Sequence, residues 1–174
     1  MDDEAQGGLP PEFSRVAAIA RLAGEPAAYR FGANAAEREA LARRLGLLSL
    51  DRFEVEARLA RAVGGGVRLE GRIAADLVQE CVVTLEPVPG SVEEAFAILY
   101  RRQAPRSDSV DPDGEDVEPL EGEEIDVGEA AAQQLSLAID PFPRAPDATL
   151  PETPAASSEL SQHPFAGLAK LTKR

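Results

Sequence analysis

Hydrophobic and polar side chains alternate along two neighbouring stretches in the middle of the chain. In the first stretch, RFEVEARLARA at 52–62, the apolar positions are Phe53, Val55, Ala57 and Leu59. In the second stretch, VRLEGRIAADLV at 67–78, they are Val67, Leu69, Ile73, Ala75 and Leu77. A period of two is typical of a strand with one buried face. Because GGG at 64–66 separates the two stretches, we predict a β-hairpin.

The apolar period of the second stretch continues beyond residue 78, through Cys81, Val83 and Leu85. A straight strand over 67–85 would be roughly 60 Å long at about 3.3 Å per residue, which is far longer than most strands. We therefore expect a bend or bulge, and place it at VQEC, residues 78–81.

A helix is predicted over 35–45. Asn34 precedes a run of helix-forming residues, Glu37 follows three positions later as in a capping box, and Gly46 comes after the last turn. These residue types satisfy the free backbone groups at the two ends of a helix.

A second helix is predicted to begin after Asp126, where Glu129 repeats the spacing of a capping box. Val127, Ala131 and Leu135 lie on one face of that helix, which ends before DPFPR at 140–144.

Two further segments resemble strands: FSRVAAIA at 13–20 and SVEEAFAILYRR at 91–102. Glu93 and Glu94 would also suit a first helical turn, but the second segment alternates and follows a turn beside the predicted hairpin. We predict an α+β fold, with a mainly antiparallel sheet built from the segments near residues 13, 52, 67 and 92. The helices near 35 and 127 cover this sheet.

Acidic residues are concentrated in one part of the chain. The net charge is -13, and residues 107–139 contain eleven acidic and no basic side chains. Within this region, 104–122 has few apolar residues and several prolines and glycines, so we predict a long acidic, flexible loop. The Pro-, Ser- and Ala-rich stretch 145–162 is predicted to be a second flexible segment. The chain, 1–174, is otherwise interpreted as a single domain.

The last segment, HPFAGLAKLTKR at 163–174, has the pattern of a short amphipathic helix. Phe165, Leu168 and Leu171 are three positions apart, and basic residues follow at the C-terminal end. A helix of this length is not stable alone, so it must dock on its own domain or on a partner. These three residues are the candidate partner-binding residues.

The N-terminal stretch MDDEAQGGLPPEF lacks the positive charge and apolar run of a secretory signal, and no apolar run approaches the roughly 18 residues of a membrane helix. We predict a cytoplasmic protein without a membrane partner. A single cysteine also excludes an internal disulfide.

The chain offers little catalytic chemistry. Cys81 and the single histidine, His163, lie far apart in sequence, and together they are too few to bind zinc. DPDGED at 111–116 lacks the spacing of a calcium loop, and VGGGV at 63–67 lacks that of a phosphate-binding loop. We therefore predict no enzymatic activity, no catalytic residue, no metal or cofactor and no small-molecule substrate. Cys81 is expected to be a small buried hydrophobic residue.

Several segments in order give the chain a family resemblance. ADLVQECVVTLEPV at 75–88, the acidic stretch, VGEAAAQQLSLAIDPFPR at 127–144 and HPFAGLAKL at 163–171 together resemble the YceD family, also called DUF177. Many members have C-x-x-C-L-x-P-V at the first of these places, whereas this chain has Thr84 instead of the second cysteine. This difference argues against a metal or redox role for Cys81.

The resemblance implies a factor for accumulation of the large-subunit ribosomal RNA. Our leading hypothesis is a non-enzymatic ribosome-biogenesis factor that promotes synthesis, processing or accumulation of 23S rRNA. Its expected partners are a large-subunit ribosomal protein, the precursor rRNA, or both. The alternative is a general protein-interaction module that docks a partner through its C-terminal amphipathic segment. The sequence does not determine the oligomeric state.

Overall fold

A computed structural model of the chain describes residues 11–22, 25–63, 65–102 and 116–149. It contains strands in two sheets and two α-helices, which confirms the α+β fold. The elements in chain order are β1 (Val16–Ala18), a 3-10 turn (Ile19–Arg21), β2 (Ala27–Gly32), α1 (Ala35–Leu45), β3 (Ser49–Arg61), β4 (Val67–Glu80), β5 (Pro87–Arg101), β6 (Val117–Pro119), β7 (Glu124–Asp126) and α2 (Val127–Ala138).

The larger sheet has the strand order β2-β3-β4-β5-β6, and all its pairs are antiparallel except β5 with β6. The predicted hairpin is formed by β3 and β4, whose pairing reaches the turn at Arg61 and Val67. The alternating residues of both strands point their apolar side chains to one buried face, as predicted. The three long central strands, β3 to β5, form an antiparallel meander that contributes the largest share of the core.

Strand β4 ends where the bend was expected. It pairs with β5 without interruption from Val67 to Glu80, and the chain then turns at Cys81. Leu85 lies in this turn and is 66% exposed, so the apolar period did not predict its position correctly. The one irregularity in the pairing of β3 with β4 lies in β3, between Leu50 and Arg52.

The prediction for the first segment was only partly correct. Instead of a strand over 13–20 in the main sheet, β1 spans three residues and pairs with β7 in a separate two-stranded sheet. The edge of the main sheet is formed by β2, which the sequence analysis did not predict. Phe13 precedes β1, is buried, and lies with its ring centroid 5.2 Å from that of Phe53. The segment thus contributes to the core through an aromatic contact rather than through strand pairing with the main sheet.

Helix α1 has the predicted bounds and the predicted caps. The Asn34 side chain accepts a hydrogen bond from the Glu37 N–H, the Glu37 carboxylate accepts one from the Asn34 N–H, and Gly46 has a φ of 68°. Arg15 also donates two hydrogen bonds to Glu37, at 2.9 and 3.0 Å, and these hold the pKa of the Glu37 carboxyl below its usual value. The N-terminal segment is thereby attached to the start of α1.

Helix α2 begins after Asp126, as predicted, although its cap works differently from a capping box. The Asp126 carboxylate accepts hydrogen bonds from the N–H groups of Gly128 and Glu129, and also from Ser14 and Arg15. The Glu129 carboxylate instead accepts two hydrogen bonds from Arg44 on α1. One carboxylate therefore caps α2 and fastens the N-terminal segment to it.

The predicted flexible segments fall largely outside the described residues. Of the acidic stretch, the described part begins at residue 116 and includes β6, which pairs with Leu99–Arg101 of β5. The last part of the segment predicted to be a flexible loop is therefore structured. Of 145–162, the structure describes the first five residues, which include a hydrogen bond from the Ala148 N–H to the Ala145 carbonyl. Neither described helix has the length and apolar character needed to cross a membrane.

Candidate partner-binding site

The three candidate partner-binding residues, Phe165, Leu168 and Leu171, lie outside the described residues, so their role stays a prediction. The structure does show where the chain leading to them starts. After α2, residues 139–149 run past the turn between β4 and β5. Three interactions fix them there: the Val82 N–H donates to the Pro143 carbonyl, the Gln79 side chain donates to the Asp140 carbonyl, and the Ala145 N–H donates to the Cys81 sulfur.

The turn between β4 and β5 is held by its own backbone. The Cys81 N–H donates to the Glu86 carbonyl at 2.8 Å, and the Leu85 N–H donates to the Cys81 carbonyl at 3.0 Å. Leu85 has a φ of 63°, a conformation in which a residue other than glycine is uncommon. The turn therefore presents the Leu85 side chain outward in an uncommon backbone conformation.

Large apolar side chains are exposed at this end of the molecule. Val82 and Leu85 in the turn are 47% and 66% exposed, and Phe142 in the neighbouring segment is 69% exposed. We call these three residues the apolar tip. Exposed apolar side chains that occur together are more informative than single ones, because they favour contact with another apolar surface.

Cys81 lies buried beneath the apolar tip and connects its two segments. Its sulfur accepts hydrogen bonds from the N–H groups of Val83 and Thr84, both at 3.4 Å, and of Ala145 at 3.3 Å. The hydroxyl of Thr84, followed by these N–H groups, lowers the pKa of the Cys81 thiol to about 6, although burial acts in the opposite direction. The prediction that Cys81 is buried is confirmed, but its sulfur is a hydrogen-bond acceptor as well as an apolar group.

The depressed pKa of Cys81 predicts a pH-dependent contribution to stability. In the unfolded chain the Cys81 thiol has an ordinary pKa. Ionisation of Cys81 is therefore easier in the folded state and stabilises it. The contribution is fully present above the unfolded pKa and is lost as the pH falls through about 6. The difference in urea midpoint between the native protein and Cys81→Ala should therefore grow from pH 5.5 to pH 9. A constant difference over this range would show that the sulfur contributes by packing alone.

The described residues around Cys81 form no metal site. Within the described residues, no group of three or more histidine, cysteine, aspartate or glutamate side chains is placed to hold a metal ion. Thr84 stands within hydrogen-bond reach of the sulfur but is not a base at neutral pH. The arrangement holds two segments together and favours the thiolate form of Cys81.

The outer face of the main sheet, opposite the core, carries charges of both signs. Arg52 donates to Asp76 at 2.7 Å and contacts Glu54, Arg30 contacts Glu56 at 3.2 Å, and Arg72 contacts Glu93 at 3.6 Å. Paired charges of this kind contribute little to stability, since most of them are well exposed. Their arrangement means that each of these arginines has a carboxylate beside it.

The outer face therefore differs from a nucleic-acid interface. Binding to a phosphate backbone depends on clustered Lys and Arg that can replace counterions. Here the arginines and carboxylates alternate across neighbouring strands, so that a phosphate brought to Arg30 or Arg72 would also face Glu56 or Glu93. This face is suited to a partner with mixed charges better than to RNA.

Sequence reasoning did not find the apolar tip. The period of two placed Leu85 on the buried face, because it assumed that the strand continued beyond Cys81. The sequence did contain one usable signal, namely Pro87 and Pro89 after the cysteine, which indicate a change of direction. Phe142, flanked by prolines in DPFPR, could likewise have been recognised as an aromatic residue outside any helix.

Comparison with known proteins gives one match. The family described as "Large ribosomal RNA subunit accumulation protein YceD" matches residues 69–172. No curated protein and no solved structure matches the chain. The matched residues extend from β4 through the apolar tip and α2 to the C-terminal segment, and they leave out β1 to β3 and α1.

The match covers more than half of the chain, and it begins inside the predicted hairpin and includes all the motifs on which the resemblance was based. Those motifs are the cysteine turn, the acidic stretch, the segment that forms α2 and the HPFAGLAKL segment. This protein belongs to the YceD family, whose members are named for accumulation of the large ribosomal RNA subunit.

Proposed function

We propose that this protein is a non-enzymatic, cytoplasmic ribosome-biogenesis factor that promotes the synthesis, processing or accumulation of 23S rRNA. It acts by contact with a large-subunit ribosomal protein, with the precursor rRNA, or with both. Family membership supports the connection to the large-subunit rRNA. The proposal for how it acts rests on the distribution of charge.

That distribution favours a basic protein as the direct partner. The paired arginines of the outer face do not offer an uncompensated basic surface. The eleven carboxylates of residues 107–139, by contrast, have no basic residue among them. A strongly acidic segment attracts and orients basic partners, and ribosomal proteins are basic enough to bind it at low ionic strength. Contact with rRNA would then be made through the ribosomal protein.

Depletion of the protein in growing cells tests the proposed function. The expected result is a fall in 23S rRNA relative to 16S rRNA, or an accumulation of 23S precursors, measured by RNA gel analysis during depletion. Re-expression should restore the ratio. An unchanged ratio together with normal large subunits on sucrose gradients would refute the function proposed here.

Removing the negative charge of the acidic segment should weaken binding to large-subunit ribosomal proteins. The variant Asp108→Asn, Asp111→Asn, Asp113→Asn and Glu115→Gln neutralises four carboxylates and leaves β6 intact. Recovery of ribosomal proteins with the tagged protein at low salt should fall about tenfold, and the difference should shrink at high salt because salt screens exposed charges. Quantitative mass spectrometry of the recovered proteins at two salt concentrations measures both effects.

The matched control changes the same number of charges elsewhere. Asp2→Asn, Asp3→Asn, Glu4→Gln and Glu152→Gln remove four carboxylates outside the acidic segment. This control should bind like the native protein. Equal losses in the two variants would mean that total charge, rather than the acidic segment, governs the contact.

The second candidate function is a general protein-interaction module, and the exposed apolar tip is the observation that favours it. Val82, Leu85 and Phe142 present apolar surface where the β4–β5 turn meets residues 139–149, which precede the C-terminal segment in sequence. If this is the main function, a reproducible partner unrelated to ribosomes should be recovered with the tagged protein. Its recovery should depend on Phe165 and Leu168, and 23S rRNA should be unaffected by depletion.

A further inference from the structure

Strand β5 has a long edge with which no described strand pairs. On one side, β4 pairs with β5 from Pro87 to Tyr100. On the other side, β6 pairs only with Leu99–Arg101. Residues 87–98 of β5 therefore form the open side of the sheet over most of the length of the strand, as far as the described residues show.

The direction of the backbone groups along this edge follows from two hydrogen bonds. The Leu99 N–H donates to the Asp116 carbonyl, and the Arg101 carbonyl accepts from the Leu120 N–H, so both residues point their backbone groups away from β4. In an antiparallel pair, alternate residues point both groups to the partner strand or both away from it. The register with β4 is uninterrupted, so Ser91, Glu93, Ala95 and Ala97 also point their N–H and C=O groups outward.

The two prolines of β5 fit the same alternation. Pro87 and Pro89 occupy outward-pointing positions, where a strand can lack an N–H without losing a bond to its neighbour. Prolines at such positions prevent further strand pairing. Protection by proline stops at Pro89, and the four outward-pointing residues Ser91, Glu93, Ala95 and Ala97 all have an N–H group.

The unprotected part of the edge is acidic. Glu93 and Glu94, at adjacent positions on opposite faces of β5, are both exposed, and Asp116 lies at the end of the edge through its bond to Leu99. The nearest basic side chain on β4, Arg72, is 3.6 Å from Glu93 and is balanced by it. By comparison, the opposite edge strand, β2, carries Arg30 and no acidic residue.

The acidic segment is attached at the same place. Residues 103–115 connect the end of β5 to Asp116, so both ends of this connection lie next to the open edge. Along the described part of the edge, backbone groups available for pairing occur together with the exposed carboxylates of Glu93 and Glu94.

We propose that the edge of β5 from Ser91 to Ala97 binds an extended, basic segment of a protein partner, which adds a strand to the main sheet. The backbone of the partner pairs with the outward-pointing groups, and its basic side chains lie near Glu93 and Glu94. Binding by strand addition takes its affinity from the main chain and its selectivity from flanking side chains. This inference rests on the proposed function, because an extended basic segment is what a ribosomal protein would present.

A peptide probe separates strand addition from attraction between charges. The probe is a short, end-blocked peptide of alternating lysine and threonine, titrated at low salt into the isotope-labelled full-length protein. Two matched peptides carry N-methyl groups on alternate residues. One peptide is methylated on its lysines and the other on its threonines. A strand has one set of N–H groups facing β5, so only one methylated peptide should lose binding, by at least about tenfold, while the other should bind like the parent.

Hydrogen exchange gives a second readout that charge alone would not change. On peptide binding, the amides of Ser91, Glu93, Ala95 and Ala97 should become protected, whereas those of the intervening residues already bond to β4 and should change little. The variant Ala95→Pro should weaken peptide binding at least about tenfold, since it removes a central outward N–H in the same way as the natural Pro89 does. Ala95→Thr is the matched control and should bind normally.

Each outcome decides the proposal. Position-specific loss with one methylated peptide, together with alternating protection, supports it even if Ala95→Pro fails to fold. Equal binding of both methylated peptides would overturn it in favour of charge attraction alone, and so would absence of binding. Recovery of 23S rRNA in depleted cells by a folded Ala95→Pro variant would show that the edge is dispensable, while the proposed function would stand.

Discussion

Replacement of Phe53 by alanine should lower the free energy of unfolding by about 3–5 kcal/mol. Phe53 is 1% exposed, and its ring lies 5.2 Å from that of Phe13. Truncation therefore removes apolar contact at the centre of β3 and leaves a cavity that the neighbouring strands cannot fill. Urea-induced unfolding followed by circular dichroism measures the change.

The control for Phe53→Ala is Leu48→Ala. Leu48 is a large apolar residue just before β3, but it is 52% exposed. Its truncation should change the free energy of unfolding by about 0.5 kcal/mol or less. If the two variants had similar effects, Phe53 would not be the centre of the core.

Replacement of Gly128 by alanine should destabilise the protein by about 2–3 kcal/mol, although alanine is the better helix former. A Cβ at this position would lie 2.5 Å from the Phe13 carbonyl oxygen and 2.8 Å from the Arg15 nitrogen. Both atoms belong to the backbone and cannot rotate away, so α2 and the N-terminal segment must move apart. The hydrogen bond from Arg15 to Asp126 would weaken at the same time. The free energy of unfolding of the variant tests this.

Gly90→Ala is the corresponding control. The nearest atom to a Cβ at Gly90 is a side-chain carbon of Leu77 at 3.7 Å, an ordinary contact. Alanine should be tolerated there, with a small gain from the reduced entropy of the unfolded chain. Destabilisation of Gly90→Ala equal to that of Gly128→Ala would mean that the effect arises from loss of glycine in general and not from the contact with residues 13 and 15.

Elements defined by local sequence were predicted well. Helix α1 could be predicted to the residue, because Asn34, Glu37 and Gly46 satisfy the ends of the helix through bonds within a few positions. The β3 and β4 strands were predicted because one face of each is buried along its whole length. In these elements the local pattern and the tertiary environment require the same residue types.

Elements defined by distant pairing were not predicted. Strand β2 alternates over six residues, with Ala27, Tyr29 and Phe31 on its less exposed face, but it is short and partly alanine, so the pattern is weak. Strand β6 has three residues and exists through its pairing with β5. No local pattern predicts such a strand, because the neighbouring strand supplies most of its stabilisation.

The candidate sites follow the same division. The residues of the β4–β5 turn were singled out in the sequence, but the role of the cysteine sulfur depends on Ala145, 64 positions away. The extent of the open edge of β5 depends on where β6 stops pairing, and no periodic pattern in the sequence predicts that position. The predicted site at Phe165, Leu168 and Leu171 remains untested by the structure.

The small sheet formed by β1 and β7 has a consequence for the order in which the chain folds. Arg15 and Asp126 are 111 positions apart, whereas the strands of the β3–β5 meander are joined by short turns. Contacts between distant positions require closure of a long loop and form slowly. During synthesis the meander can pair before Asp126 has left the ribosome, but Phe13 cannot yet be fixed against α2. The nascent chain therefore lacks the bonds from Ser14 and Arg15 to Asp126 until α2 emerges, and formation of these bonds completes the fold.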